Sequence, residues 1–186
     1  MAQFDIAYKH TMSAEGGYVN DSNDIGGETY KGVSRKYHPA WSGWSIIDKE
    51  KSERKLKRGD IIINSLLDSL VFHFYEEEFW SVNRLGKVKN QAIANELFDT
   101  GVNMHPKFAA GFVQRALNLL NRNEKDYEDI AEDGVLGNIT LRMINKYPYQ
   151  KALLKTLNGL QFMRYVKICE YNPSQENNFR GWLKRV

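Results

Sequence analysis

This sequence of 186 residues has only one cysteine, no long apolar segment and no strong net charge. The single cysteine, Cys169, excludes an internal disulfide and a zinc site built from cysteines, and we expect it to be a buried apolar side chain. No apolar run approaches the roughly 20 residues that a membrane-spanning helix requires, so the sequence predicts no integral membrane protein. The 26 basic and 23 acidic residues leave a net charge of +3, which is too small to indicate nucleic-acid binding. The remaining composition is close to average and indicates one folded globular protein.

The first residues, Met-Ala-Gln-Phe-Asp, carry neither the basic n-region nor the apolar h-region of a secretory signal peptide. We therefore expect a protein that is made in the cytoplasm. A substrate outside the cell would have to be reached by another route.

Apolar residues recur with helical spacing along most of the chain and predict about seven helices. Gly101 is expected to end one of them, and Pro106 and Pro148 are each expected to begin one. A break near residues 81–90 divides the chain into regions 1–85 and 86–186, although one continuous domain fits the same pattern.

Residues 15–35 do not follow the helical pattern, because they are dense in glycine, asparagine and aspartate. Short β-compatible pieces occur at Tyr18-Val19 and at Thr29-Tyr30. The segment therefore predicts a small hairpin inserted between helices.

This hairpin segment also contains the side chains that best fit a chemical role. Glu15 ends a predicted helix and is followed by two glycines, and Asp24 lies nine residues further on, ahead of Gly26-Gly27, Glu28 and Thr29. Glycines let the backbone reverse, so Glu15 and the strand after Asp24 can face each other across a cleft. Glycoside hydrolysis needs such an arrangement, with one carboxylic acid that protonates the leaving oxygen and a second polar group that directs water or stabilises charge.

The string E-G-G-Y-V-N-D-x-x-D-x-G-G-E-T-x-x-G-V-S at residues 15–34 resembles the opening motif of glycoside hydrolase family 108, lysozyme-like N-acetylmuramidases also called secretion activator proteins. Its Glu, Asp and Thr spacing is also similar to that of phage T4-type lysozymes, with one residue fewer between Asp and Thr. Residues 83–103, 133–140 and 179–186 resemble more loosely the peptidoglycan-binding region that accompanies this hydrolase domain.

The resemblance implies a mainly α-helical, lysozyme-like α+β fold, with catalysis in region 1–85 and a helical peptidoglycan-binding region in 86–186. It implies Glu15 as the catalytic acid, with Asp24 and Thr29 holding and orienting a water molecule. A role as a turn residue before the two glycines fits Asp24 equally well. Asn20 and Asp21 likewise fit a role as turn-forming residues. Glu28 is either a second carboxylate or a salt-bridge partner of Lys31 or Arg35.

Further residues are candidates for contact with the sugar. Tyr18 and Tyr30 offer ring faces on which sugars stack, although core packing is the alternative for such aromatic residues. Asn103 lies four residues after Asp99 on one predicted helix face, where the two side chains either line the cleft or cap the helix end. Together with Asn20, Asp21 and Glu28, these residues form the expected substrate-binding set.

The implied activity is hydrolysis of the β-1,4 bond between N-acetylmuramic acid and N-acetylglucosamine, by a monomer that needs neither metal nor organic cofactor. A prophage endolysin that reaches the wall through a holin, by lysis or by specialised secretion fits this activity. Three alternatives stay open: a lytic transglycosylase, a non-catalytic wall-binding protein and a secretion-associated interaction protein. Inversion and retention are also both open, because sequence supplies no distance between carboxyl groups.

Overall fold

The computed structural model describes residues 1–12, 16–20 and 27–186 and has a mainly helical α+β architecture. Its three strands are β1 (Tyr18–Asn20), β2 (Glu28–Tyr30) and β3 (Val33–Ser34). Its α-helices are α1 (Phe4–Met12), α2 (Gly43–Glu53), α3 (Ser65–Tyr75), α4 (Gln91–Met104), α5 (Pro106–Leu120), α6 (Asn138–Lys146), α7 (Gln150–Tyr171) and α8 (Glu176–Trp182). A π-helical turn, Glu76–Ser81, continues α3, and short 3₁₀ turns occur at Leu85–Lys87, Pro173–Gln175 and Leu183–Arg185.

The chain forms two compact units, which we name the hairpin unit (Thr11–Glu77) and the helical unit (Met1–His10 with Glu78–Val186). These units separate between Glu77 and Glu78, and the division into functional regions 1–85 and 86–186 stays a prediction. The first ten residues belong to the helical unit, where Phe4 packs against Trp80 and Phe98 with ring centroids 5.6 Å and 5.5 Å away.

The hairpin unit contains an antiparallel sheet in the order β1-β2-β3. Lys31 and Gly32 connect β2 to β3 with positive φ angles of 44° and 81°, the conformation of a type I′ turn. The Tyr75 hydroxyl donates to the Lys31 carbonyl at 2.9 Å and so fixes this turn to α3. The sheet predicted from the glycine-rich segment is therefore present, with one strand more than expected.

The outer edge of β1 is held by the segment at Gly59 and Asp60. The Tyr18 amide donates to the Asp60 carbonyl, and the Gly59 amide donates to the Tyr18 carbonyl, each at 2.8 Å. A side chain at Gly17 would place its Cβ 2.2 Å from the Asp60 carbonyl oxygen, so only glycine permits this approach. These bonds fix the position of β1 relative to the chain that follows α2.

The helical unit is built on α4, α5 and α7, which pack against one another. Its fully buried side chains include Leu85, Ile93, Phe98, Val113, Leu117, Ile144 and Leu153. The side chain of Asn90 caps α4, and Pro106 is the first residue of α5, as its sequence position predicts.

Two predicted helix boundaries are wrong. Helix α4 continues through Gly101 to Met104, and His105, at φ 93°, ends it instead. Helix α7 begins at Gln150 rather than at Pro148, which lies in the turn after α6. In the part of the chain that the structure describes, no helix has the length and apolar character to cross a membrane.

Candidate functional site

A cleft of about 530 Å³ lies in the hairpin unit between β1 and the end of α2. Its lining residues are Tyr18, Asn20, Lys51, Ser52, Glu53, Arg54, Lys55 and Leu56. Most of the lining side chains are polar, and two of the three cations are ion-paired, Lys51 with Glu28 and Arg54 with Glu50 and Asp60, so the surface suits a hydroxylated ligand.

Glu28, on β2, forms the centre of an ion-pair network beside this cleft. Its Oε1 accepts hydrogen bonds from the Tyr18 hydroxyl at 2.8 Å and from Lys51 Nζ at 2.7 Å. Its Oε2 lies 2.9 Å from Arg35 Nε, an ion pair whose angle falls short of a hydrogen bond. Of the two cations considered as partners of Glu28, Arg35 is in contact, whereas Lys31 pairs with Asp68 at 2.7 Å.

Arg35 extends the network to α2 and the aromatic core. Its guanidinium binds Asp48 through two hydrogen bonds of 2.6 Å and 3.1 Å and lies 4.5 Å from the ring of Trp44. The hydrogen bond from Arg35 lowers the pKa of Asp48, and the hydrogen bond to Glu28 raises that of Lys51. Burial, and then the bond to Glu28, raises the pKa of Tyr18. At neutral pH Tyr18 is therefore a neutral hydrogen-bond donor to Glu28.

The sheet register decides which hairpin residues share a face. Tyr18 pairs with Tyr30, Val19 with Thr29, and Asn20 with Glu28. Because directly paired residues point to the same side of a sheet, Tyr18, Asn20, Glu28 and Tyr30 share one face. Thr29 projects from the opposite face and is half-buried. Glu28 and Thr29, which are adjacent in sequence, thus point in opposite directions.

Tyr30 is fully buried, although the sequence made it a candidate for contact with a sugar. Its hydroxyl lies 3.2 Å from the Ile62 amide, from which it accepts, and 3.4 Å from the Ile62 carbonyl. Its ring packs in the core of the hairpin unit, so its direct role is to support β2.

Three of the expected site residues, Glu15, Asp21 and Asp24, lie outside the described residues. Among the others, Tyr18 and Asn20 line the cleft, and Glu28 contacts Tyr18 and Lys51 beside it. Lys51, Arg54 and Lys55 also line the cleft, although a sequence of such mixed charge is typical of a solvated helix face.

Asn103, the last expected site residue, belongs to a buried polar cluster of the helical unit. Its Oδ1 accepts from the Tyr165 hydroxyl at 3.0 Å, and that hydroxyl also accepts from Gln161 Nε2 at 3.0 Å. Asp99, four residues earlier, pairs with Arg185 at 2.5 Å. Asp99 therefore binds the C-terminal 3₁₀ turn, and neither residue acts as the helix cap that the sequence offered as an alternative.

Comparison with protein families finds two consecutive matches. Residues 8–104, more than half of the chain, match the family model of glycosyl hydrolase 108. The chain belongs to the glycosyl hydrolase 108 family. Residues 108–186 match the model named Predicted Peptidoglycan domain, so this family 108 protein combines a glycoside hydrolase domain with a peptidoglycan domain. The resemblance found in residues 15–34 is thereby confirmed.

A solved structure confirms the fold of this family 108 protein. The structure entitled "Structure of Brucella abortus SagA" superimposes with a TM-score of 0.62 at 20% sequence identity and covers 98% of this chain and 88% of the other. The match supports the expected mainly helical, lysozyme-like α+β fold. No curated protein matches the chain in sequence.

Proposed function

We propose that this family 108 hydrolase cleaves the β-1,4 bond between N-acetylmuramic acid and N-acetylglucosamine in peptidoglycan. The observation that carries the proposal is the pair of adjacent matches, a glycoside hydrolase domain followed by a peptidoglycan domain. The polar cleft beside β1 supports it, because sugar hydroxyls and amides can form hydrogen bonds with such a lining.

In this proposal Glu15 is the general acid. It precedes β1 by three residues and is the carboxylate that aligns with the family motif. As the bond from the anomeric carbon to the glycosidic oxygen breaks, Glu15 gives its proton to that oxygen, and the sugar that leaves departs as an alcohol.

A water molecule is the nucleophile in this proposal, and Asp24 and Thr29 orient it. A retaining enzyme would need a carboxylate free to attack the anomeric carbon. Glu28 suits that role poorly, since its oxygens are engaged by Tyr18, Lys51 and Arg35. Water attack on the face opposite the leaving group, and hence inversion, follows from this assignment.

The surface next to β1 binds the substrate. Tyr18 and Asn20 line the cleft on the face of the sheet opposite Thr29, so in this proposal they bind the substrate away from the bond that is cleaved, and Asp21 continues the chain from Asn20. Glu28 acts on the substrate indirectly, because it neutralises and positions Lys51. A monomer carries all of these residues, and delivery to the wall occurs by holin, lysis or specialised secretion, as for a prophage endolysin.

Changing Glu28 to glutamine tests its structural assignment. We expect hydrolysis to stay within about tenfold of wild type, while the free energy of unfolding falls by roughly 1–3 kcal/mol because Lys51 and Arg35 lose their shared counter-charge. Urea unfolding and wall-clearing assays measure the two effects. The matched control is Asp48→Asn, which removes a more exposed carboxylate from Arg35 and should cost less than about 1 kcal/mol. A folded Glu28→Gln variant without activity would make Glu28 a chemical participant.

Mass spectrometry of the fragments released from purified peptidoglycan tests the proposed bond. We expect fragments with N-acetylmuramic acid at the reducing end, and each new end should take up one ¹⁸O atom when the reaction is run in H₂¹⁸O. Reducing ends of N-acetylglucosamine would contradict the bond. Anhydro ends without ¹⁸O would indicate a transglycosylase, and no release from several walls would leave only a binding function.

A further inference from the structure

A second pocket, of about 360 Å³, lies wholly within the peptidoglycan domain of the helical unit. Two segments form it: the loop after α5 and the end of α6 with the turn into α7. Its lining residues are Arg122, Asp126, Tyr127, Met143, Lys146, Tyr147, Pro148 and Tyr149. The volume is within the range of pockets that hold small ligands.

The wall formed by the α6–α7 turn is aromatic and rigid. Tyr147 is buried, whereas Tyr149 is 67% exposed, and their ring centroids lie 5.9 Å apart. Gln150 Nε2 donates to the Ile144 carbonyl at 2.8 Å and to the Tyr147 carbonyl at 2.6 Å, which holds the turn in place. An exposed tyrosine ring on such a turn, next to a pocket, is a surface on which the apolar face of a sugar can stack.

The opposite wall is a loop held in an unusual backbone conformation. Arg122, Asn123 and Glu124 have successive φ angles of 57°, 59° and 61°, the left-handed region that residues other than glycine rarely adopt. The buried Asn121 side chain stabilises them by accepting from the Glu124 amide at 3.1 Å and donating to the Tyr127 carbonyl at 3.2 Å. The Tyr127 hydroxyl donates to the Leu117 carbonyl at 2.7 Å, so its ring is also fixed.

The charges of the pocket favour an anionic group. Arg122 Nε donates to Asp126 Oδ2 at 2.9 Å, so these two charges largely cancel. Lys146 is exposed, and it makes no ion pair with any residue in 1–12, 16–20 or 27–186. The pocket therefore presents one uncompensated ammonium group beside an exposed aromatic ring.

We propose that this pocket binds a muramyl-peptide unit of peptidoglycan, with the sugar against Tyr149 and a peptide carboxylate at Lys146. Peptidoglycan supplies both features in one unit, because each muramic acid residue carries a peptide with a free carboxylate. The inference rests on the proposed function, in that it locates the wall contact of the second domain. It distinguishes that contact from the proposed catalytic residues, Glu15, Asp24 and Thr29.

Sedimentation with insoluble peptidoglycan tests the proposal, in a Glu15→Gln background so that the wall stays intact. We expect Tyr149→Ala and Lys146→Ala each to weaken binding at least tenfold. Tyr171→Ala, which removes a 94% exposed tyrosine from the same unit, should bind within twofold of the parent protein. Binding by both pocket variants at the parent level would overturn the proposal, and thermal unfolding checks that they are folded.

Titration with soluble probes tests the charge requirement. Muramyl dipeptide, which has a free carboxylate, should bind more tightly than the uncharged N-acetylglucosamine trimer, and Lys146→Ala should abolish the difference. Equal affinities in the parent protein would contradict the carboxylate contact. Cleavage of a soluble muropeptide by the unaltered chain tests the proposed hydrolysis without any change to the pocket. These measurements therefore show separately whether the proposed binding pocket or the proposed hydrolysis is wrong.

Discussion

Replacing Glu15 with glutamine is expected to lower the rate of peptidoglycan hydrolysis by about 10²- to 10⁴-fold. Glutamine has almost the shape of glutamic acid, but its amide cannot give a proton to the departing glycosidic oxygen. Binding to insoluble peptidoglycan should persist, because the substitution removes one proton donor and no large contact surface. The release of reducing ends measures the rate, and sedimentation measures the binding.

The matched control is Glu77→Gln, which changes an exposed carboxylate of the hairpin unit and should leave the rate within twofold of wild type. An equal loss in both variants would show that the effect is not particular to Glu15. A loss below about tenfold in Glu15→Gln would place the acid at another residue.

The leaving group separates an acid from a structural residue. A dinitrophenyl glycoside of the same sugar releases a phenolate that needs no protonation, so its cleavage should be much less sensitive to Glu15→Gln than that of peptidoglycan. Similar losses on both substrates would contradict the general-acid role and indicate that Glu15 supports the fold of the site or the binding of substrate.

The hairpin could be predicted from sequence, but the faces of its strands could not. Glycine and asparagine content correctly predicted the strands at Tyr18 and Thr29. A shift of one residue in the pairing exchanges the two faces of a strand, and the sequence does not define this register. For that reason the sequence grouped Glu28 and Thr29 at one site, whereas the pairing of Asn20 with Glu28 places them on opposite faces.

Gly101 shows why a helix end was misplaced. Glycine often ends a helix, but here it is buried inside α4, and a Cβ at this position would lie 3.7 Å from Pro106 Cα. The His105 amide still donates to the Gly101 carbonyl at 2.8 Å. A distance of 3.7 Å is an ordinary van der Waals contact, so the packing does not require glycine at this position, and His105, at φ 93°, ends the helix instead.

No feature of the sequence predicted the pocket of the peptidoglycan domain. Residues 121–129 are almost entirely polar and charged, which is typical of an ordinary surface loop. Three consecutive left-handed residues other than glycine are not expected from any local propensity. The conformation depends on Asn121, whose burial and hydrogen bonds only the folded structure defines.

Glu96 is a further feature that the sequence did not indicate, because a glutamate within a helix is usually solvated. In the helical unit it is only 8% exposed. Thr100 Oγ1 donates to its Oε1 at 3.4 Å, and the Asn158 amide, oriented to donate, lies 3.0 Å from its Oε2. Its charged neighbour Asp99 is itself bound by Arg185. Burial, and then the negative charge of Asp99, raises the pKa of Glu96 to about 8.

This raised pKa predicts that the protein loses stability as the pH rises from about 4.5 to about 8. In that interval the folded chain keeps the Glu96 proton while the unfolded chain, with an ordinary pKa of 4.5, has released it. The folded state therefore binds more protons, and the free energy of unfolding falls with increasing pH. At 1.36 kcal/mol per pKa unit, the loss between pH 5 and pH 8.5 is on the order of 3–4 kcal/mol.

Glu96→Gln should abolish most of this pH dependence, because glutamine keeps the shape and the hydrogen-bonding capacity of the protonated acid without its titration. We expect the variant to match wild type within about 1 kcal/mol at pH 5 and to be the more stable protein at pH 8.5. Urea unfolding at both pH values measures the difference, with the exposed Glu170→Gln as the control that keeps the wild-type slope. If wild type and Glu96→Gln lose stability equally between these pH values, then Glu96 ionises normally in the folded protein, and its burial must be relieved by water or by a cation reaching the carboxylate.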